Sequence, residues 1–425
     1  MGLADVATRM VGPDVPIEFT AYDGSRSGGT HARVRLDVRS PLALSHLASA
    51  PGELGLARAY VSGALDVVGD VYIAMASLPE MTITDIPPEL RAKLAVRLLA
   101  ARLWWPVRPP EQERRSRTGL GRLGAFGRRH SKTRDSKVIS HHYDVSNRFY
   151  EWVLGPSMAY TCACYPTEEA TLEQAQEHKF DLVARKLALR PGMRLLDVGC
   201  GWGGMVMHAA KHYGVKALGV TLSQRQAEWA QQAIIDRGLS DLAEVRHLDY
   251  RDVHEGDFDA ISSIGLTEHI GQANLPAYFA FLYGKLRPGA RLLNHCITRP
   301  NGDHPAKTGA FIDRYVFPDG ELEASGELVT RMQQAGFEVR HQENLREHYA
   351  KTLAAWCANL EDNWESAVQE VGMGTARVWR LYMAASRLGF DRNYIELHQI
   401  LGVKLDEGGR SGMPLRPDWE PPATF

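Results

Sequence analysis

From residue 138 onward, short apolar runs alternate with longer stretches of helical periodicity. The largely apolar run Met193–Val198 predicts a buried strand, followed by a glycine-rich turn and a helix over 204–213. Further predicted elements alternate in the same way, with strands over 216–222, 243–249, 258–265, 290–298 and 337–343, and helices over 224–237, 273–286 and 325–335. Strand–helix alternation of this kind is typical of a parallel, doubly wound α/β sheet.

The N-terminal region has a different pattern, in which short alternating runs are interrupted by glycine and proline. Val15–Thr20 and His31–Val38 alternate as strands do, and residues 45–64 and 70–77 predict short helices. We therefore expect a small α+β domain over residues 1–107. The sequence shows no constellation of catalytic residue types within its first 80 positions.

A basic amphipathic helix is predicted over residues 85–105. Asp85 is a suitable N-cap with prolines in the first turn, and leucines then alternate with arginine and lysine as far as Trp104-Trp105. Such a helix either packs its apolar face on the core or lies on a membrane surface with the indoles as anchors. The sequence leaves both alternatives open.

Residues 108–137 are predicted to be a flexible linker that leads to a catalytic domain over 138–425. Arginine, lysine and glycine dominate this segment and few acids balance them, whereas the whole chain has a formal net charge of -2. Anionic lipid, nucleic acid and solvent alone are each compatible with such a segment. Because the chain as a whole is not basic, we expect an anionic membrane surface and no nucleic acid as partner.

The composition is that of an ordinary globular protein of 425 residues, with 44% hydrophobic and 24% charged residues. No apolar run approaches the ~18 residues of a membrane span, and the N-terminus lacks the apolar segment of a secretory signal. The five cysteines are odd in number and scattered, which indicates reduced thiols, and Cys162-Ala-Cys164 has no second cysteine or histidine pair at zinc spacing. We expect a cytoplasmic protein without a metal site.

The turn Asp197–Gly204, after the first predicted strand of the sheet, carries the ligand-binding signal. Glycines crowd this turn at the carboxyl end of a strand, where ligands of doubly wound sheets bind. A dinucleotide site needs an acid about 20 residues later, on the ribose, but the second strand ends at Gly219–Ser223 without one. Asp197 instead precedes the glycines, an arrangement that suits S-adenosylmethionine. A tight turn without a ligand is the alternative.

The chain also resembles cyclopropane-fatty-acyl-phospholipid synthases and the related mycolic acid cyclopropane synthases. The matching stretches follow the family's order and are His142–Asn147, Tyr160–Ala163, Leu195–Gly203, Gly219–Ser223, Glu268–Gly271, His295–Pro300 and His348–Leu353. The N-terminal region resembles the extra domain of the phospholipid-using members. The resemblance implies a Rossmann-like class I methyltransferase fold with a small N-terminal α+β domain.

The same resemblance implies methyl transfer from S-adenosylmethionine to the cis double bond of an unsaturated phospholipid acyl chain. The carbocation-like centre that results must lose a proton, which a bound bicarbonate accepts in the family, and a cyclopropane ring closes. The residues that hold the bicarbonate map onto Cys162, Glu268, His295, Ile297 and Tyr349, with Cys162 and Ile297 acting through backbone groups. Taken singly, each of these residues is equally well explained by core packing or local hydrogen bonding.

Cofactor contacts carry over from the resemblance in the same way. They are Tyr160 and Thr161 for the methionyl tail, Asp197, Gly199, Gly201 and Gly203 in the main pocket, Thr221, Leu222 and Gln226 at the ribose and adenine, and Asp249 and Tyr250 over the adenine.

Other functions stay open from the sequence alone. The same transfer with proton loss elsewhere gives a methylene- or methyl-branched acyl chain. An amine N-methyltransferase would need no group to accept a proton from a carbocation. A lipid-binding protein with an inactive methyltransferase fold is a further alternative, against which the intact glycines argue. We expect peripheral association with the inner face of the membrane and leave open a homodimer.

Overall fold

A computed structural model describes residues 1–29, 31–79, 89, 107–113, 146–303, 309–317 and 320–419. The predicted helix over 85–105 lies outside the described residues except for Glu89, and so does the linker over 108–137 except for its first six positions. Among the described residues, no helix is both long enough and apolar enough to cross a membrane.

The described strands, in chain order, are β1 (Ile17–Ala21), β2 (Arg26–Gly28), β3 (Val34–Val38), β4 (Leu65–Val68), β5 (Arg194–Val198), β6 (Lys216–Thr221), β7 (Ala243–His247), β8 (Phe258–Ile264), β9 (Leu286–Arg299), β10 (Glu323–Ala324), β11 (Glu338–Asn344) and β12 (Glu396–Val403). The described helices are α1 (Leu3–Val11), α2 (Leu42–Ser49), α3 (Glu53–Val61), α4 (Val71–Ser77), α5 (Asn147–Leu154), α6 (Leu172–Lys186), α7 (Gly204–Tyr213), α8 (Gln224–Asp236), α9 (Leu275–Lys285), α10 (Ala310–Tyr315), α11 (Ser325–Gln334), α12 (Arg346–Asp362), α13 (Trp364–Val371) and α14 (Met373–Asp391).

The chain divides into two compact units. Unit 1 combines Met1–Leu123 with Gly309–Pro318 and Leu360–Leu388, and unit 2 consists of Gly124–Thr308, Asp319–Asn359 and Gly389–Phe425. The sequence predicted a linear division at residues 107 and 138, whereas unit 1 takes two of its segments from beyond residue 300. Periodicity along the chain carries no information about which distant helices will pack together, so the pattern did not indicate this arrangement.

Unit 1 contains a four-stranded sheet in the order β2-β1-β3-β4, in which only β1 and β3 pair in parallel. Ile17, Phe19 and Val34 on this sheet pack with Ala4 of α1 and Ala74 of α4. The helix predicted over 45–64 is two helices, because Pro51 and Gly52 interrupt it.

Distant segments of unit 1 are joined by buried polar contacts. Glu113, fully buried, accepts hydrogen bonds from Arg58 at 2.6 Å, Arg314 at 3.1 Å and Tyr315 at 3.1 Å. Two cations around one carboxylate hold its pKa below the usual value despite burial. A charge this deeply buried is tolerated only with such partners.

Unit 2 is built on a sheet in the order β11-β12-β9-β8-β5-β6-β7, with β10 added beside β9. The strands from β9 to β7 pair in parallel, and β12 is antiparallel to both of its neighbours. The predicted doubly wound α/β sheet is confirmed. The sequence pattern missed β12, because the alternation rule anticipates a parallel strand after each helix.

Helices cover both faces of the unit 2 sheet. Leu195 lies in an apolar cluster with Met205 of α7, and its neighbour Leu196 lies in a second cluster with Phe279 of α9. Adjacent residues of a strand point to opposite faces, so the two clusters form two layers around one sheet. This burial on both sides explains why the neighbouring residues Leu195 and Leu196 of β5 are both apolar.

Candidate active site

The glycine-rich turn lies at the carboxyl end of β5, where the strand order reverses between β6 and β8. Gly201 has a φ of +54° and open space beside its α-carbon, so the backbone can approach a ligand there. Two cavities, of about 640 and 520 Å³, border this turn and share Gly199, Gly201, Gln226 and Gly265. Together they form a ligand site at the switch point of the sheet.

The larger cavity holds the residues that were predicted for the ribose and adenine. Thr221, Leu222, Gln226 and Tyr250 all line it. The Thr221 hydroxyl donates a hydrogen bond of 2.8 Å to Gln226 Oε1, which fixes the amide of this buried side chain. Asp249, also predicted here, does not line the cavity, but its carboxylate accepts hydrogen bonds from Arg251, which does.

The smaller cavity holds the residues that were predicted for the methionyl tail. Tyr160, Thr161 and Asp197 line it, and Asp197 accepts a hydrogen bond of 2.6 Å from the Ser262 hydroxyl. Burial raises the pKa of Asp197 to about 7, although Ser262 and a nearby lysine partly offset this effect.

That lysine is Lys179 of α6, which the sequence analysis missed. It is fully buried, lines the smaller cavity and donates a hydrogen bond of 2.9 Å to the Thr161 hydroxyl. Burial lowers the pKa of Lys179 to about 8. Its sequence signal is a lysine on the apolar stripe of the helix, four residues after Ala175 and four before Val183.

The structure places Gly203 differently from the prediction. It is the N-cap of α7 with a φ of +77°, and Ala230 and Val245 occupy the space beside its α-carbon. Its role is therefore the turn and the packing of α7. The next residue, Gly204, lines the smaller cavity instead.

Two of the predicted catalytic residues, Glu268 and Ile297, are joined directly. The Ile297 backbone N–H donates a hydrogen bond of 2.6 Å to Glu268 Oε1, while Glu268 Oε2 is buried without a hydrogen-bond partner. Burial raises the pKa of Glu268 to about 7. Glu268 follows β8 in a 3-10 turn, Thr267–His269, so it lies just beyond the carboxyl end of that strand.

His295, two residues before Ile297 on β9, belongs to a buried chain of hydrogen bonds. Gln399 of β12 donates from its amide to His295 Nδ1 at 3.2 Å, and Lys186 donates to Gln399 Oε1 at 2.7 Å. Because Lys186 requires the Gln399 oxygen on its own side, the amide nitrogen faces His295, whose proton is therefore on Nε2. That Nε2 is buried and without a hydrogen-bond partner. Burial holds the pKa of His295 well below its usual value, so the ring is neutral.

Cys162 and Tyr349 meet at the carbonyl of Leu345. The Cys162 thiol donates to it at 3.8 Å, and the Tyr349 backbone N–H donates to it at 3.1 Å. Burial raises the pKa of Cys162 well above its usual value, so the sulfur stays a neutral thiol. The Tyr349 ring packs on Phe390, with 4.4 Å between centroids.

Aromatic rings connect this group with the cofactor cavity. The Trp356 ring lies 6.0 Å from that of Tyr349 and 5.4 Å from that of Tyr160, and Tyr150 continues the series to Trp202. Such a row of aromatic rings suits chemistry that must exclude water. The sequence analysis did not single out Tyr150 or Trp356, since nothing in their local sequence separates them from core aromatics. The motif at His142–Asp144 lies outside the described residues.

The chain matches the family model described as mycolic acid cyclopropane synthetase over residues 130–400. It is 56% identical over 410 residues to the probable fatty acid methyltransferase Rv3720 of Mycobacterium tuberculosis, an alignment that covers 96% of this chain and 95% of the relative.

Solved structures of similar proteins cover a smaller part of the chain. The cyclopropane synthase MmaA2 of Mycobacterium tuberculosis is 31% identical, with a TM-score of 0.60 over 63% of this chain and 98% of the other. The mycolic acid cyclopropane synthase CmaA1, solved with SAH and CTAB, is 32% identical, with a TM-score of 0.59 over 63% of this chain and 97% of the other. The predicted class I methyltransferase fold is thereby confirmed. The chain belongs to the mycolic acid cyclopropane synthetase family and is an S-adenosylmethionine-dependent methyltransferase.

Proposed function

We propose that this enzyme transfers the methyl group of S-adenosylmethionine to the cis double bond of an unsaturated phospholipid acyl chain and closes a cyclopropane ring. The observation that carries this proposal is the pair of buried, unpartnered polar atoms, Glu268 Oε2 and His295 Nε2, in a unit that also holds the cofactor site. Methylation of an amine needs no such group. A carbocation on an acyl chain needs a site that takes up a proton and excludes water.

The residues present suit a small oxyanion. His295 carries its proton on Nε2 and donates from it. Glu268 Oε1 accepts a hydrogen bond from the Ile297 N–H. When Glu268 is protonated, its proton is therefore on Oε2, from which it can donate to a hydrogen-bond acceptor, as His295 Nε2–H does. With a pKa of about 7, a large fraction of Glu268 is protonated near neutral pH. Bicarbonate, when bound by these two donors, would supply the base that removes a proton from the transferred methyl group.

The bonds balance without a further co-reactant. The alkene π pair forms a C–C bond to the methyl carbon while its C–S bond breaks, which leaves S-adenosylhomocysteine and a cation on the acyl chain. Loss of one proton from the new methyl group releases the electron pair that closes the ring. The aromatic wall formed by Tyr349, Trp356 and Tyr160 protects this cation from water.

A methylene- or methyl-branched acyl chain is the second candidate product. The relative that shares 56% identity over nearly the whole chain is described as a fatty acid methyltransferase. The two candidates share the first bond-forming step. In the methylene product a hydride shifts to the cationic carbon before the transferred methyl group loses its proton, and the released electron pair forms a C=C bond instead of a ring. A methyl-branched chain needs, in addition, a two-electron reduction of that methylene group by a separate hydride donor.

The experiment is mass spectrometry of lipids after incubation with S-adenosylmethionine that is deuterated at the transferred methyl group. We expect an unsaturated phospholipid to gain the labelled carbon with loss of one deuterium. An exocyclic methylene product would also lose one deuterium, so proton NMR of product made with unlabelled S-adenosylmethionine distinguishes the two: upfield cyclopropane signals support ring closure, and olefinic methylene signals overturn it. Full retention of the label also overturns ring closure, because the proton was then lost from a carbon of the acyl chain. Methylation of amines alone overturns the whole proposal.

A matched set of variants tests the residues. Glu268→Gln and Tyr349→Phe are expected to bind S-adenosylhomocysteine normally and to lose turnover by roughly ten- to a hundred-fold, the value of one hydrogen bond to a charged group. Glu407→Gln, at an exposed position, serves as the control. Full activity of both site variants contradicts the assignment.

A further inference from the structure

Two histidines, His208 and His212, lie one helical turn apart on α7 and face Glu177 of α6. Glu177 Oε1 is 3.3 Å from His208 Nδ1 and 3.4 Å from His212 Nε2. One ligand atom from each of the three residues lies within 4.8 Å of the others. None of the three lines the cofactor cavities or belongs to the Glu268–His295 group.

The two separations between Glu177 and the histidines match those of atoms that share a metal ion. Zinc bonds of ~2.0–2.1 Å at tetrahedral angles place neighbouring ligand atoms about 3.3–3.4 Å apart. Histidines at positions i and i+4 of a helix project from the same face, and a neighbouring helix supplies the carboxylate. We propose that Glu177, His208 and His212 form a binding site for a divalent transition metal of the zinc type.

His208 provides an independent observation that points to a ligand. It is only 7% exposed, yet neither of its ring nitrogens completes a hydrogen bond, although carboxylate oxygens lie 3.3 Å from Nδ1 and 3.9 Å from Nε2. Buried polar atoms are nearly always paired, so a ring with two unpaired nitrogens indicates a missing partner. A metal on Nδ1 provides that partner on the side where Glu177 lies.

The opposite nitrogen of His208 faces a carboxylate, as is usual around metal-bound histidines. Asp181, one turn after Glu177 on α6, has Oδ1 3.9 Å from His208 Nε2. Tyr213 and Arg185 both donate hydrogen bonds to Asp181 and hold it in place. A histidine that binds a metal typically donates its other N–H to such a group, which orients the ring.

The chemistry of the donors selects the metal. Two imidazoles and one carboxylate suit zinc, cobalt or nickel better than magnesium or calcium, which prefer oxygen ligands. The side chains of Glu177 and His212 are 61% and 41% exposed, so an ion can enter from solvent and complete its coordination with water. A bound ion would join α6 to α7, and would therefore stabilise the folded state by mass action.

The experiment is a titration of the metal-free full-length protein with zinc chloride by calorimetry, and with cobalt chloride by visible spectroscopy. We expect one tight zinc site, the intense visible bands of tetrahedral cobalt, and a higher melting temperature with zinc. His212→Ala and Glu177→Gln change exposed side chains, so these variants should fold and lose the site. Asp181→Asn should weaken zinc binding by about 10- to 100-fold.

His254→Ala, which removes an exposed histidine from a loop, is the matched control and should keep the site. The proposal is overturned by any of three results: no zinc binding by the parent protein, zinc binding that survives both His212→Ala and Glu177→Gln, or magnesium binding as tight as zinc binding. In those cases the three side chains form only a surface ion pair network.

Discussion

Lys179 places a buried ammonium group beside the cavity predicted for the methionyl end of the cofactor, where a carboxylate must be accommodated. We expect Lys179→Met to weaken binding of S-adenosylhomocysteine by roughly 10- to 100-fold, because one hydrogen bond to a charged group is lost. Calorimetry measures this directly, and Lys211→Met, on the exposed face of α7, is the control. If the parent and Lys179→Met bind S-adenosylhomocysteine with equal affinity, the ammonium group makes no contact with the cofactor.

Glu268 makes stability depend on pH. Its pKa is about 7 in the folded protein against 4.5 for the ordinary group, so between these values the folded state holds a proton that the unfolded state has released. The stabilisation of the folded state by this group is therefore complete at low pH and is lost as the pH rises from about 4.5 to about 7. We expect the free energy of unfolding of the parent, relative to Glu268→Gln, to fall by about 3 kcal/mol between pH 4.5 and 8.

Urea unfolding at a series of pH values measures this difference. For the exposed control Glu407→Gln, the free energy of unfolding should change with pH in the same way as that of the parent. A constant difference between the parent and Glu268→Gln at every pH would mean that the carboxyl group is not the one that titrates.

Gln399 acts as a positioning residue through His295. We expect Gln399→Leu to lower kcat by roughly three- to ten-fold, the value of one neutral hydrogen bond, and to leave the affinity for the cofactor unchanged. Nitrogen NMR of the histidine ring distinguishes positioning from a structural effect, since the fixed Nε2–H tautomer should become a mixture. Lower kcat with an unchanged tautomer rules out this role, and Gln334→Leu on the surface of α11 is the control.

The position of the glycine turn and of Asp197 at the carboxyl end of β5 could be predicted from sequence, because the strand–turn–helix spacing is local. Glu268, His295 and Tyr349 needed the resemblance, since each is an ordinary residue in its own surroundings. Lys179 and Gln399 were missed for a physical reason. Their roles come from partners across the fold, Thr161 for the first and His295 with Lys186 for the second.

At the scale of elements, the sequence located most strands and helices of unit 2 to within a few residues. The predicted helix over 204–213 coincides with α7, and the strand predicted over 290–298 begins earlier, at Leu286. The sequence analysis did not predict the antiparallel strand β12, because three helices, α12 to α14, precede it. Local alternation cannot indicate that a strand after such an excursion returns between β9 and β11.

The segment over 85–137 remains a sequence-based hypothesis for membrane docking. The acyl double bond of a phospholipid lies inside a bilayer, so an enzyme that acts on it must touch the surface. We expect binding to anionic vesicles at low salt and little binding to neutral ones, because each basic residue contributes about 1 kcal/mol near an anionic surface and salt screens it.

Co-sedimentation with vesicles tests this docking. Alanine at Arg114, Arg115, Arg117, Arg128 and Arg129 together should weaken binding by roughly three orders of magnitude. A control with the same loss of charge replaces Arg225, Arg237, Arg287, Arg410 and Arg416, which are exposed elsewhere in the chain. Similar losses in both sets would indicate a general charge effect without a docking segment.

At the scale of the whole molecule, the sequence changes character near residue 138 and a unit boundary falls between residues 123 and 124, but later segments of the chain return to unit 1. The late helix α14 contributes Ala384 to a buried cluster with Tyr60 and Val71, and Arg377 forms an ion pair of 3.2 Å with Asp66. Arg314 likewise reaches Glu113. Unit 1 is thus assembled from the first and the last thirds of the chain.

This arrangement determines which parts of the chain can fold on their own. A truncated chain that starts at residue 124 would keep the whole of α13 and α14 while losing the residues of unit 1 on which they pack, so their buried apolar and charged groups would be exposed to water. We expect such a fragment to aggregate, to bind hydrophobic dyes, and to exchange the amide protons of α14 rapidly. Supplying residues 1–123 as a separate polypeptide should restore protection in hydrogen exchange. A fragment that stays monomeric and protected on its own would show that the N-terminal region is a separable module; otherwise residues 1–123 must be inherited, fused or exchanged together with the segments Gly309–Pro318 and Leu360–Leu388.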